Sequence, residues 1–376
     1  MARKVPGKVK TVAVLPSDGD YSGLLPRLLE LAEADDIVRR GHSVLIKPNL
    51  HAPHHWTTAS TTNPALVVAL IEWARSRGAR RILVADGPYW GITQPEAVFT
   101  QTGMARAVEE AGAEWAVMHN HPYRIFRNVS PHLPPRLGIS RFVFDADVVI
   151  NAAVMKTHID CLVTLGMKNL KGCIRAEDKR AFHNNLEIDR AIVALNRLIA
   201  PDLAIADGTL GMEGIGPHAG RPANFGHILA SRHTPSLDAV AARAMGVEVE
   251  EARTLRYAIE EGLLEPRDIR VVGGDIAAIR RRFERPYEAM LRELPGLRLQ
   301  SDGSCSACKL NLIRALRENS RAGAGLPQRL IVIGNRPPAE PDAILVGRCQ
   351  RQFAHGRRHL DGCPPPVVAL RPFLTD

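Results

Sequence analysis

Aromatic residues are scarce in this chain, at 5% of 376 positions, and that limits what its basic charge can mean. The formal net charge is +9. A surface that binds single-stranded nucleic acid combines cations with rings on which bases stack. Here the arginines fall in small groups, as at 280–282 and 351–358, and no basic block forms. A solvated arginine-rich surface is the expected reading, and nucleic acid is not expected as a partner.

Long apolar runs are lacking too. No stretch approaches the roughly 20 apolar residues that span a bilayer, so no membrane segment is expected. The first ten residues are basic but no apolar stretch follows them, so no signal peptide is expected and the expected compartment is the cytoplasm. Cysteine is sparse, with six in the chain. In a reducing cytosol those thiols are expected to be metal ligands or catalytic groups rather than disulfides.

What is present is ordinary globular material: 45% hydrophobic and 24% charged residues. The length suits two domains or one with an appendage. Residues 43–47 form a short apolar run ending in a polar turn, as a buried strand does. Asn63-Pro64 opens a helix with a capping side chain and a proline in its first turn. Leu66, Val67, Leu70, Ile71 and Ala74 recur on one face of it, and Gly78 closes it. Strands are predicted at 81–86, 115–118, 146–150, 202–206 and 269–272, with helices at 104–111, 189–199 and 234–245. This rhythm predicts an α/β fold, a mostly parallel sheet with flanking helices over residues 1–275. The proline-rich stretch 122–138 reads as loop. Two strands end alike, at Asp86-Gly87 and Asp207-Gly208, from duplication or from a shared need for turn residues. From 276 to 376 the pattern predicts a small C-terminal subdomain, with a charged helical stretch at 280–294 that Pro286 breaks or kinks.

Ligands of a parallel sheet gather beyond the carboxyl ends of its strands, so polar residues there carry weight. Lys47-Pro48-Asn49, Asp86-Gly87, Lys156-Thr157-His158 and Asp207-Gly208 all follow apolar runs. The lysines stand out because arginine dominates elsewhere. Lys47, Lys156, Lys168 and Lys171 can hold an anion as point charges, and a desolvated one can act as a base. His158 can carry a proton. The glycine-rich stretch 208–220 reads as a loop whose backbone N–H groups could cradle an anion. It is neither a P-loop nor a dinucleotide fingerprint. His51, His54 and His55 lack the spacing of a metal site and read as a cleft-lining or solvated loop.

Four cysteines crowd the last quarter: Cys305 and Cys308 as C-x-x-C, then Cys349 and Cys363. Four thiolates are the ligand set of structural zinc or of an iron–sulfur cluster. Cys161 and Cys173 are too far apart for a tight redox pair.

The ordered set Lys47-Pro-Asn49, Thr62-Asn-Pro64, Asp86-Gly87, Lys156-Thr-His158, Gly166-Met-Lys168-Asn169-Leu-Lys-Gly172, Asp207-Gly208, Met212-Glu213-Gly214 and Gly216-Pro217 resembles the family catalogued as domain of unknown function 362. The resemblance covers roughly residues 40–275 and implies a fold and a candidate site, not a reaction. Members of that family are often iron–sulfur proteins, which tips the four-cysteine set toward one [4Fe–4S] cluster over zinc. The compact ferredoxin run of cysteines is missing here. The leading expectation is an iron–sulfur redox enzyme acting on a small anionic substrate. Lys156, His158, Asp207 and Glu213 are its catalytic candidates. Lys47, Asn49, Asp86, Lys168, Asn169, Gly214 and Gly216 are its substrate contacts, and Cys305, Cys308, Cys349 and Cys363 its metal ligands. An electron-transfer protein would be its partner. The alternatives are a non-redox enzyme or ligand-binding module with structural zinc, and an interaction partner of an acidic redox protein.

Overall fold

The computed structural model describes residues 9–184 and 187–375. The chain divides into two compact units between Phe283 and Glu284. Residues 276–283 stay with the first unit because Phe283 is buried in its core, 6.0 Å from Phe225 between ring centroids.

The strands of the first unit are β1 (Lys10–Pro16), β2 (Ser43–Lys47), β3 (Arg81–Asp86), β4 (Glu114–Val117), β5 (Tyr123–Arg127), β6 (Arg136–Ser140), β7 (Val148–His158), β8 (Leu162–Thr164), β9 (Leu203–Glu213), β10 (Arg221–Ala223), β11 (His227–Ser231) and β12 (Ile269–Val272). The main sheet runs β12-β1-β11-β9-β7-β2-β3-β4, with β10 on β9 and β8 on β7. From β4 to β9 the path is parallel, and β11 is antiparallel to both its neighbours. Strand faces explain the layering. Val44 and Ile46 enter one core with the Tyr21–Leu31 and Pro64–Ser76 helices, while Leu45 enters another on the opposite face. Every residue of β7 is buried, as befits a central parallel strand covered on both faces.

The chain steps from β2 to β3 and β4 on one side, then returns to β7 and β9 on the other. The sheet therefore has a switch point between β2 and β7, where a crevice opens at the strand ends. Lys47 closes β2 there, in register with Asn151 of β7. The Pro64–Ser76 helix starts as the sequence predicts: Asn63 accepts the N–H of Ala65, with Pro64 next.

Three stretches differ from their sequence reading. Residues 122–138 carry the hairpin β5–β6, paired from Tyr123–Ser140 to Arg127–Arg136, because Pro131, Pro134 and Pro135 fall in its turn. The first half of the glycine-rich stretch 208–220 is strand: β9 runs on through Glu213, with Gly211 paired to Ala223. Pro286 starts the Pro286–Glu293 helix rather than breaking one, since the first turn needs no proline N–H.

The second unit has a four-stranded parallel sheet: β13 (Leu299–Gln300), β14 (Ile331–Ile333), β15 (Ile344–Val346) and β16 (His359–Leu360). The 16-residue helix Ser306–Arg321 and the Val367–Phe373 helix belong to it.

Gly172 ties the packing to the switch point. A Cβ there would lie 2.0 Å from Asp86 Oδ1 and 2.6 Å from Lys47 Nζ. Gly172→Ala should therefore lower unfolding free energy by about 1–3 kcal/mol in urea denaturation. An unchanged midpoint would contradict this packing.

Candidate functional site

Lys47 leaves the end of β2 and turns inward, fully buried. Its Nζ lies 2.7 Å from Asp86 Oδ1 and donates to the Pro48 carbonyl at 2.9 Å and to Asn169 Oδ1 at 3.2 Å. Three acceptors match the three N–H bonds of an ammonium. Asp86, at the end of β3, also accepts the N–H of Leu50 at 2.7 Å and of Gly87 at 2.8 Å. The carboxylate is thus fully used by the scaffold.

Lys156, near the end of β7, differs. Its Nζ donates to Asn49 Oδ1 and to the Ser60 carbonyl at 2.8 Å. Burial first, then the charge of Lys168, lowers its pKa to about 7, with Asp86 opposing. Amides connect the two lysines. Asn49 donates to Asn169 Oδ1 at 3.1 Å, and Asn169 donates to Asn151 Oδ1 at 2.8 Å. Asn151 in turn donates to the Gly166 carbonyl at 2.9 Å. The short helical turn Gly166–Asn169 that presents Lys168 and Asn169 is pinned by Asp238, whose two oxygens accept the N–H groups of Gly166 and Met167 at 2.8 Å each. Burial pushes Asp238 up to about 7, against those two bonds.

Two more lysines complete the cluster. Lys179 Nζ donates to the carbonyls of Gly87 at 2.7 Å and Pro88 at 3.1 Å, and meets His119 Nε2 at 2.8 Å. Burial brings Lys179 to about 7, and burial with the Lys179 charge brings His119 to about 4. Lys171 is pushed well below its ordinary value, by burial and then by Lys168. Lys168 itself is half-buried, and among the described residues its ammonium makes no hydrogen bond or ion pair. His51 stands in the same field. Burial, then His218, Lys156 and Lys168 hold it neutral, and its solvent-sealed Nδ1 has no hydrogen-bond partner. Its ring lies 5.1 Å from that of His218 and 5.5 Å from that of Tyr89.

The fold thus gathers Lys47, Asn49, Asp86, Lys156, Lys168 and Asn169 from the sequence-derived set. The other candidates have scaffold partners. His158 Nδ1 accepts the N–H groups of Asp160 at 3.0 Å and Cys161 at 3.2 Å, which places the ring proton on Nε2. Asp207 accepts from Tyr21 and from the Thr209 N–H, each at 2.9 Å, and burial raises its pKa. Glu213 pairs with Arg221 at 3.1 Å and Arg281 at 3.4 Å. The Gly214 carbonyl accepts Thr157 Oγ1 at 2.8 Å, and that of Gly216 accepts the N–H of Ile159 at 3.1 Å.

Sequence reading passed over Lys179, His119, Asn151 and Asp238, and left His51 in a cleft-lining loop. A signal for Lys179 was available. Nine of the 49 basic residues are lysines, and the five between residues 11 and 308 are Lys47, Lys156, Lys168, Lys171 and Lys179. All five meet here.

In the second unit, Cys305 caps the Ser306–Arg321 helix, with Cys308 in its first turn. Cys349 follows β15 and Cys363 follows β16, and the N–H of Arg348 donates to the Gly362 carbonyl at 2.8 Å between those loops. The four thiols lie within electrostatic range. A hydrogen bond with Cys305, then burial, then the charges of Cys305, Cys363 and Cys349 push the Cys308 thiol far up. Cys349 is raised by burial and then by Cys363 and Cys305. Among the described residues, no three His, Cys, Asp or Glu side chains form a ready metal-holding group. Cys161 and Cys173 are buried, and burial raises both thiols.

A family described as "Domain of unknown function (DUF362)" matches residues 44–243. This chain belongs to the DUF362 family. The DUF362 match takes in all five clustered lysines, while the four-cysteine segment lies outside it. "Thylakoid-associated protein sll1697" of Synechocystis sp. is 30% identical over 242 residues, 62% of this chain and 73% of that protein. The lactate racemase apoprotein of Thermoanaerobacterium thermosaccharolyticum shares 16% identity at a TM-score of 0.40, over 66% of this chain and 60% of that one. Among the described residues, no helix is long and apolar enough to cross a membrane.

The geometry separates structural from unspent lysines. Lys47→Met leaves a buried carboxylate without its cation and should cost about 3–5 kcal/mol in urea denaturation. Lys168→Met should stay within about 0.5 kcal/mol of wild type. Equal losses in the two variants would contradict the assignment.

Proposed function

We propose that the first unit binds a small anion over Lys156 and Lys168, and that the second carries a four-thiolate [4Fe–4S] centre, so that the chain is an iron–sulfur redox enzyme. The observation that carries the anion reading is the charge balance at the switch point. Five lysines crowd a site where the carboxylate facing Lys47, Asp86, is already spent on that lysine and two backbone N–H groups. Burial first, and then the charges of neighbouring lysines, disfavour the protonated forms and bring Lys156 and Lys179 to about 7. An anion at Lys168 reverses that penalty. It gains a point charge from Lys168 and an amide frame from Asn49 and Asn169.

The sign of the pH dependence follows. Below pH 7 Lys156 and Lys179 take up protons and the site becomes more cationic. Oxalate, as a probe dianion, should raise the melting temperature more at pH 6 than at pH 9, and Lys168→Met should remove most of the rise. An oxalate shift that is absent, or that Lys168→Met leaves intact, would overturn the anion reading.

The metal reading rests on the donor set. Cys305, Cys308, Cys349 and Cys363 would hold the centre, and the repulsion from neighbouring thiolates that helps to raise Cys308 and Cys349 is what a bound cation relieves when it makes thiols into thiolates. When bound, such a cluster supplies one-electron chemistry, and an electron-transfer protein is the partner it requires. Protein purified without oxygen should be brown, with about four irons per chain. Cys308→Ala should lose the metal and leave the α/β unit folded. One zinc and no colour would make the segment structural, and a metal content unchanged in Cys308→Ala would remove these four residues as the ligand set.

A further inference from the structure

The lysines of the switch point differ in how many acceptors they meet. Lys47 meets three and Lys179 meets two carbonyls and the His119 ring. Among the described residues, Lys156 meets only two acceptors, Asn49 Oδ1 and the Ser60 carbonyl. A neutral amine has two N–H bonds and one lone pair. Two acceptors use both N–H bonds and leave the lone pair unspent. An ammonium in the same place would leave a buried N–H without a partner, at a cost of about 1–3 kcal/mol. The hydrogen-bond frame of Lys156 therefore suits a neutral amine, whereas that of Lys47 suits a cation.

We propose that Lys156 is a nucleophile that captures a small 2-oxo acid as an imine, with Lys168 holding the carboxylate of the substrate. This deepens the anion reading above and rests on it. A desolvated lysine beside a second cation is a recognised way to make an amine reactive at neutral pH. Lys156 is 2% exposed, and Lys168 is the largest charge acting on it. The carboxylate would meet the half-buried ammonium of Lys168, which places the adjacent carbonyl toward the amine.

The step balances without an oxidant or reductant. The Nζ lone pair forms a bond to the carbonyl carbon, and the C=O π pair moves to oxygen. One proton moves from nitrogen to that oxygen, giving a carbinolamine. A second proton follows the same route, the C–O bond breaks and water leaves as the C=N bond forms. One amine and one carbonyl become one imine and one water.

The full-length protein is incubated with glyoxylate, the smallest 2-oxo acid, and with sodium borohydride. Intact mass and peptide mapping then locate the reduced adduct. A single adduct on Lys156 is expected, with about ten-fold more trapping at pH 8.5 than at pH 6 because only the neutral amine attacks. Oxalate should protect Lys156, and Lys156→Arg should remove the adduct. The mapping is done on wild-type protein, so its outcome does not depend on how the variant folds. If oxalate raises the melting temperature but the adduct is spread over other amines, the imine is overturned and the anion site stands. If oxalate neither binds nor protects, both readings fall together.

Discussion

The ion pair between Lys47 and Asp86 is the constraint on which the switch point depends. It joins the ends of two neighbouring parallel strands, buried on both sides, at 2.7 Å. A pair of charges removed from water gains little net stability unless its remaining lone pairs and protons are also bonded. Here they are. The carboxylate takes two backbone N–H groups and the ammonium takes two further oxygens. That saturation fixes the chain on both sides of the crevice, including the turn through Pro48 to Leu50 that carries Asn49 to Lys156.

From this pair the site is built by short polar links rather than by apolar packing. Asn169 touches Lys47, Asn49 and Asn151, and so reports the position of one strand end to the next. Asp238, from the Thr234–Ala244 helix, holds the turn that presents Lys168. Lys168 owes its position to a buried carboxylate that never touches it. The same arrangement makes the site electrostatically uneven. The cation of Lys47 is compensated in place, while Lys156, Lys171 and Lys179 are discharged in part by burial first and then by neighbouring lysines, chiefly Lys168 for Lys156 and Lys171 and Lys47 for Lys179. On the proposed reading, a crevice of that kind binds an anion more tightly as its lysines take up protons.

Much of this was legible in the sequence, for identifiable reasons. Apolar runs of four to six residues and the Asn63-Pro64 cap marked β2, β3 and the helix between them, because local burial and capping decide those elements. The lysines at strand ends were visible against an arginine-rich background. The hairpin β5–β6 was hidden because its prolines, which read as loop, occupy only its turn. The extension of β9 was hidden because Gly208 and Gly211 read as a flexible loop, although close approach of Met155 to both requires glycine there. Asp207, Glu213 and His158 looked like chemistry because they are polar and follow apolar runs. Their partners, Tyr21, Arg221, Arg281 and the backbone at Asp160 and Cys161, come from elsewhere in the chain or from a turn that sequence alone does not specify. Whether a polar residue is spent or unspent is a tertiary property.

With only nine lysines in the chain, the side-chain amines can be followed one by one. The most direct measurement is a pH titration of the lysine Nζ signals by nitrogen NMR on protein labelled at that atom, with and without oxalate. Lys156 should titrate near 7 without the anion and move upward when oxalate is added. If Lys156 instead titrates with exposed lysines near 10.4 and ignores oxalate, the crevice is not an anion site and its lysines are only scaffold.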